Sequence, residues 1–193
     1  MLENFLVIIS TVIVVVSYSS LFEWMLHKYV MHQIIFGFRY AFHAHAQVHH
    51  NIFRADESYH LQNTDDKKTI PMAWWNGPIL VTISSAPFWL LGWWLEDWLV
   101  PLSASVTIAC YYGTYEYLHW CMHLPKSRRV EKSRLFRWLN GHHVLHHRYP
   151  NKNYNVVLPF ADLMLGTLLL LSPRPFDQVR GSSVPDVQPR TYI

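Results

Sequence analysis

The sequence predicts an all-α integral membrane protein, with about three to four transmembrane or half-membrane helices under a histidine-rich cytoplasmic cap. Three observations carry that expectation. Long apolar runs carry no charge. Lysine and arginine are confined to two segments. Histidines gather in short boxes just beyond the runs. The 193 residues are enough for one domain, assigned to residues 1–172, with 173–193 as a loose polar tail rich in Pro. The chain is 51% hydrophobic and only 15% charged, where a soluble domain carries about 25% charge. The mean hydropathy of +0.04 conceals this, because polar stretches offset the apolar ones.

No charge occurs from Asn4 to Phe22, from Thr69 to Leu95, or from Trp98 to Tyr115. A spanning helix needs roughly 20 mainly apolar residues, so all three runs qualify, the third narrowly. The first lacks the basic start and small-residue cleavage site of a signal peptide. It reads as a retained helix that runs from about Leu2 through Glu23 into "HKYVMH". Pro78, Pro87, Gly77 and Gly92 predict a kinked or re-entrant second helix starting near Pro71. The third starts near Pro101 and extends through "YEYLHWCMH". "KSRRVEKSRLFRW" reads as an interfacial helix in the headgroup region. "YNVVLPFADLMLGTLLLL" (154–171) reads as a half-buried interfacial segment in preference to a fourth span.

All 16 Lys and Arg lie in 28–68 or 126–190. The positive-inside rule then places the N-terminus outside, 28–68 and 119–193 in the cytoplasm, and 69–118 as a hairpin across the membrane. That geography fits a bacterial inner membrane or endoplasmic reticulum. The net charge of +3 is explained by a basic face against anionic lipid, and no nucleic-acid partner is implied. Cys110 and Cys121 have no CxxC partner, which excludes a zinc finger or disulfide framework.

Eleven of the 13 histidines fall in four windows: His27 and His32; His45, His49 and His50; His119 and His123; His142, His143, His146 and His147. The other two are His43 and His60. A lone histidine at a membrane border is a tolerated amphipathic side chain. Four boxes on the same predicted side are a metal site. At 100° per residue, His119 and His123 lie about 40° apart on one helix face. His27 and His32 lie about 140° apart, which fits either ligands to two metals or a helix that ends between them. The adjacent pairs His49/His50 and His146/His147 point different ways and suit placement between two metals. The expected ligands are His27, His32, His45, His49, His50, His119, His123, His143, His146 and His147. Ten imidazoles suit two metals at four or five each, and imidazole binds Fe, Zn, Cu or Ni. Glu23, Glu116 and Asp162 are the expected carboxylates around those ligands, since such groups orient metal-bound histidine.

The box set HX4H, HX3HH, HX3H, HX2HH, over about residues 20–172, resembles the fatty acid hydroxylase and sterol desaturase superfamily. "LFEWMLHKYVMH", "YEYLHWCMH" and "GHHVLHHRYPNKNYNVVLPFADLMLGT" are most similar to segments of fatty acid 2-hydroxylases. "HKYVMH" and the short chain also look like bacterial beta-carotene hydroxylases. The second box departs from both, showing HX3HH where HX2HH is usual, so His43 stands as an alternative to His45. The resemblance implies a non-haem centre of two iron ions (zinc as purified being an alternative), with O₂ as co-substrate. It implies hydroxylation of a lipid C–H bond, with carotenoid hydroxylation or sterol or lipid desaturation as alternatives. Electrons would come from a separate cytochrome b5-like or ferredoxin-like donor, and the lipid from the bilayer. A membrane metal-binding or electron-carrier protein is the rival class. It is disfavoured because haem helices and transporters place polar ligands within spans, whereas these boxes lie at or beyond the borders.

Overall fold

A computed structural model describes residues 1–170, so the expected tail from 173 lies outside the described residues. The described residues are mostly helical and form no strand. α1 (Leu2–Met25) continues without a break into a π-helical turn over Leu26–Met31. α2 (Tyr40–Phe42), a second π-helical stretch (His43–His49) and α3 (His50–Ile52) follow as one winding segment. Short 3-10 turns lead to α4 (Asn76–Leu95) and α5 (Leu99–His123). α6 (Arg134–Arg148) carries the last histidine box, and α7 (Phe160–Met164) is one short turn.

Two helical segments, Leu2–Met31 and Asn76–Leu95, are long and apolar enough to cross a membrane. α5 has the length but falls outside that class, since it holds serines, threonines and tyrosines and ends in a histidine box. Both candidate spans present apolar side chains outward: Ile13, Val14 and Leu6 on α1, and Ile83, Leu90, Trp93 and Trp94 on α4. Rows of this kind suit contact with a protein or a membrane. Pro87 lies inside α4, which remains one continuous helix. Residues 154–171 contain no spanning helix among those described. They form a buried loop and the single turn α7.

α5 is the centre of the bundle, with α1 and α4 packed against it. Small buried residues (Ser19 and Ser20 on α1, Ser84 and Ser85 on α4, Ala104 on α5) let the backbones approach. Glu96 ends α4 in the left-handed region at φ 55. The Asp97 carboxylate then accepts the Leu99 N–H at 2.8 Å, starting α5. Gly92 is required at this corner, because a Cβ there would lie 2.4 Å from Pro101 Cδ.

The basic stretch does not form its own interfacial helix. Its first half makes a 3-10 turn (Val130–Lys132), and Ser133 then caps α6 by accepting the Phe136 N–H at 3.1 Å. Arg134 onward continues unbroken through the last box. Phe136 and Leu139 face inward with His143, His146 and His147, and a second core of Tyr59, Tyr115, Leu118, Met122 and Val156 backs them.

Candidate metal centre

The ten expected ligands come together as two groups of five. His27, His32, His45, His50 and His146 form the first group. His49, His119, His123, His143 and His147 form the second. In each, one nitrogen per ring lies within 4.8 Å of the others. That spread is close to twice a metal–nitrogen bond of about 2.1 Å. The groups abut where the His50 and His147 rings stack, centroids 4.3 Å apart.

Helix type sorts the ligands. His27/His32 and His45/His50 are five apart, and both belong to the first group. Both sit on π-helical turns, where the N–H of residue i+5 bonds the carbonyl of residue i: His32 to His27 and His50 to His45. That winding brings residues five apart nearer to one face than an α-helix does. The about 140° separation expected of an α-helix therefore does not occur, and His27 and His32 converge on one group. His119/His123 and His143/His147 are four apart on ordinary α-helix, and both belong to the second group. His49 and His146 complete the groups singly. The adjacent pairs accordingly split, His49 from His50 and His146 from His147.

Backbone carbonyls hold these rings. The Nδ1 atoms of His49, His123 and His147 face the carbonyls of Thr69 (3.1 Å), Tyr59 (2.8 Å) and Phe53. His119 hydrogen-bonds the backbone of Ile70. All four partners lie in the 53–70 excursion, and all four rings are in the second group. His27 and His146 of the first group face the carbonyls of Tyr154 and Lys152 instead. Each group is thus oriented chiefly by one loop.

A carbonyl only accepts, so each Nδ1 that faces one carries the proton. The Nε2 of that neutral ring is then a bare lone pair. Yet the Nε2 atoms face one another: His27 and His45 at 2.8 Å, His146 with His32 and with His50 at 3.1 Å, His143 with His123 at 3.2 Å and with His147 at 3.1 Å. His143 offers at most one Nε2 proton to two bare acceptors. The Nε2 atoms of His49 and His119 are buried with no partner at all among the described residues. Converging lone pairs in a dry site fit a bound cation. Burial, above all other causes, keeps the rings neutral: His49 and His146 are pushed down to about 4, and His45, His50, His143 and His147 well below the usual range.

None of the three expected carboxylates accepts a hydrogen bond from a grouped histidine. They hold the loops that hold the rings. Glu23 accepts the Val156 N–H (2.6 Å), the Asn155 amide (3.2 Å) and the Tyr111 hydroxyl (2.7 Å). Asp162 is 0% exposed and accepts from the N–H groups of Tyr154 and Asn155, the Thr167 hydroxyl and His142 Nε2. Burial would raise its pKa, but these donors outweigh it and hold it below the ordinary value. Glu116 accepts the Met72 N–H at 3.3 Å and the Tyr112 hydroxyl at 2.9 Å, just past the carbonyl of Ile70. Sequence reasoning missed the carbonyls themselves, because a main-chain acceptor has no side-chain signature. His142 pairs with Asp162 outside both groups, and His43 and His60 are exposed, so His45 and not His43 joins the site.

Beside His27 opens a largely apolar cleft enclosing about 550 Å³ of space, part of it open to the outside. α1, α4 and α5 wall it, and Glu23 and Tyr111 lie at its polar edge. No known protein family matches the chain, and no curated protein or solved structure is significantly similar to it.

Proposed function

We propose that the protein is a membrane non-haem diiron oxygenase that hydroxylates a C–H bond of a lipid, using O₂ and electrons from a separate donor. The single observation that carries this reading is the pair of abutting five-histidine groups beside an apolar cleft. Five nitrogens exceed the four that structural zinc takes, and imidazole suits iron. Two bound irons would supply the activation of O₂ needed for an unactivated C–H bond. The chain's own residues do the rest. The ten histidines hold the pair. The carbonyls of 53–70 and of Lys152 and Tyr154 fix which ring nitrogen carries the proton, leaving Nε2 free to bind. The cleft orients hydrocarbon against His27 and excludes water, so the reacting carbon sits near the centre while side reactions are suppressed.

α5 serves in this reading as a third span, shielded between α1 and α4, with the histidine cap on the cytoplasmic side where lysine and arginine gather. The basic stretch from Lys126 to Arg137 is the docking face for an acidic donor of the cytochrome b5 or ferredoxin type. The histidine-box resemblance supports hydroxylation over desaturation. The test is expression in cells grown under isotopically labelled O₂, followed by lipid analysis. Hydroxylated lipid carrying the label is expected. A new double bond without label rejects hydroxylation in favour of desaturation, and unchanged lipids with two metals bound favour a metal-storage role.

A further inference from the structure

The cleft at His27 has an inner end as well as a mouth, and its inner end carries an inference that rests on the lipid-oxygenase reading. Ser19 and Phe22 of α1, His27 of the π-helical turn that continues it, Ser84 of α4 and Ile108 of α5 all line it. One turn beyond these wall residues, the three helices close on one another. Val15, Phe88 and Ala104 form a buried cluster with the wall residue Ile108, and Tyr18 packs against it. The Tyr18 and Phe88 rings meet edge to face at 5.2 Å. From Tyr18 to His27 is nine residues, about 14 Å of helix. The cleft is therefore a slot with a floor.

A second, independent observation lies at this end. Ser19 is 6% exposed and lines the cleft, and its buried hydroxyl has no hydrogen-bond partner among the described residues. Its neighbours Ser17, Ser84 and Ser85 all bond a carbonyl one turn back along their helices. The half-buried rim, Phe22 on α1, Leu26 at the start of its π-helical continuation and Leu80 on α4, lies on the two helical segments long and apolar enough to cross a membrane. The slot thus opens toward the medium in which hydrocarbon chains are dissolved.

We propose that the Tyr18–Phe88 pair is the floor of a slot for one unbranched acyl chain, and sets the chain length the site accepts. The methyl end rests on Tyr18 and Phe88. The carbons nearer the polar head lie beside His27. This is the sense in which a bilayer lipid already stands, with its head at the border and its methyl end near the centre, so the chain enters sideways without turning over. A chain too long for the slot cannot seat its head-proximal carbons at His27, and one too short leaves the floor uncovered.

The experiment uses the full chain in detergent and a series of unbranched fatty acids of graded length, each with a photoreactive diazirine at its terminal carbon. After illumination, labelled peptides are mapped by mass spectrometry, and bound metal is measured on the same samples. Labelling at Tyr18–Phe22 and Ser84–Phe88 should peak at one chain length. Phe88→Ala lowers the floor and should shift the peak to longer probes. Ser19→Leu, which sacrifices no hydrogen bond, fills the inner end and should shift it to shorter ones. Equal labelling at all lengths, label confined to the outward residues Ile13 and Ile83, or a peak that neither variant moves overturns the proposal. Metal-loaded protein with no length optimum defeats the floor alone. A length optimum in protein that incorporates no labelled oxygen keeps the floor and defeats the oxygenase reading.

Discussion

His146 and His119 show how single residues divide the labour at this site. His146 is 0% exposed and belongs to the first group, while His119 belongs to the second. His146→Ala should therefore lower bound metal by about one ion of two, as should His119→Ala, and the double variant should bind almost none. Elemental analysis of purified protein reads this directly, and full metal content in the double variant would sink the two-group assignment. Acid should act on the same residues in the metal-free protein. His49 and His146 are held down to about 4 by burial, against about 6.5 in an unfolded chain. Above pH 6.5 neither state takes up protons at these rings, so their neutral burial costs nothing in pH dependence. Below it the unfolded chain gains protons that the fold refuses, so stability falls as pH drops from 6.5 toward 4. Thermal unfolding of metal-free protein across that window should show a falling midpoint, and a flat profile would contradict it.

Among the elements, the two π-helical turns matter most, since a π turn in a helix commonly marks a functional site. Spacing of five brings His27 and His32 toward one face only when the backbone winds this way. Inserting one residue after Val30 would leave the pair six apart, a spacing that α-helix puts about 120° apart and that the π turn does not bring to one face either. The first group should then lose its metal while the second, built on α5 and α6, keeps its own. Metal analysis checks the loss, and unchanged stoichiometry would show that the winding is incidental. These elements also show what was legible in the sequence. The histidine boxes and apolar runs announced α1, α4, α5 and the ligand set, because both signals reside in side chains. The π winding was not legible, since an i+5 spacing read on α geometry points the two rings apart. Nor was the start of α6, where Ser133 caps a helix that runs straight into the box and merges two features the composition had separated.

For the whole molecule, the charge asymmetry predicts an orientation for the proposed membrane protein. With Cys110 and Cys121 replaced, single cysteines placed near Glu96 or the N-terminus should react with an impermeant reagent applied outside. Cysteines near Lys67 or Lys132 should not. Outside labelling at Lys132 would put the histidine groups in the wrong compartment. The larger pattern concerns the two halves of the chain. Each half runs through an apolar helix, a glutamate, a histidine pair and a box ending in His-His. The first half supplies four ligands of the first group and the second half four of the second. Sequence revealed this echo only weakly, because the halves reach similar ends by different windings.

The exchange of one ligand between the halves has a consequence for how the protein is made. His146 completes the first group and His49 the second, so neither can be finished by one half of the chain. As the polypeptide emerges from the ribosome, the first four histidines of that group wait for the fifth until about three quarters of the 193-residue chain has been synthesised. The Lys152 and Tyr154 carbonyls that orient His27 and His146 arrive later still. A nascent chain therefore cannot bring all five histidines of the first group together until α1, α4 and α5 have been made. Truncated chains ending near residue 140 should hold metal far more weakly than the full chain in equilibrium dialysis, and equal retention would show that the last histidine box is dispensable.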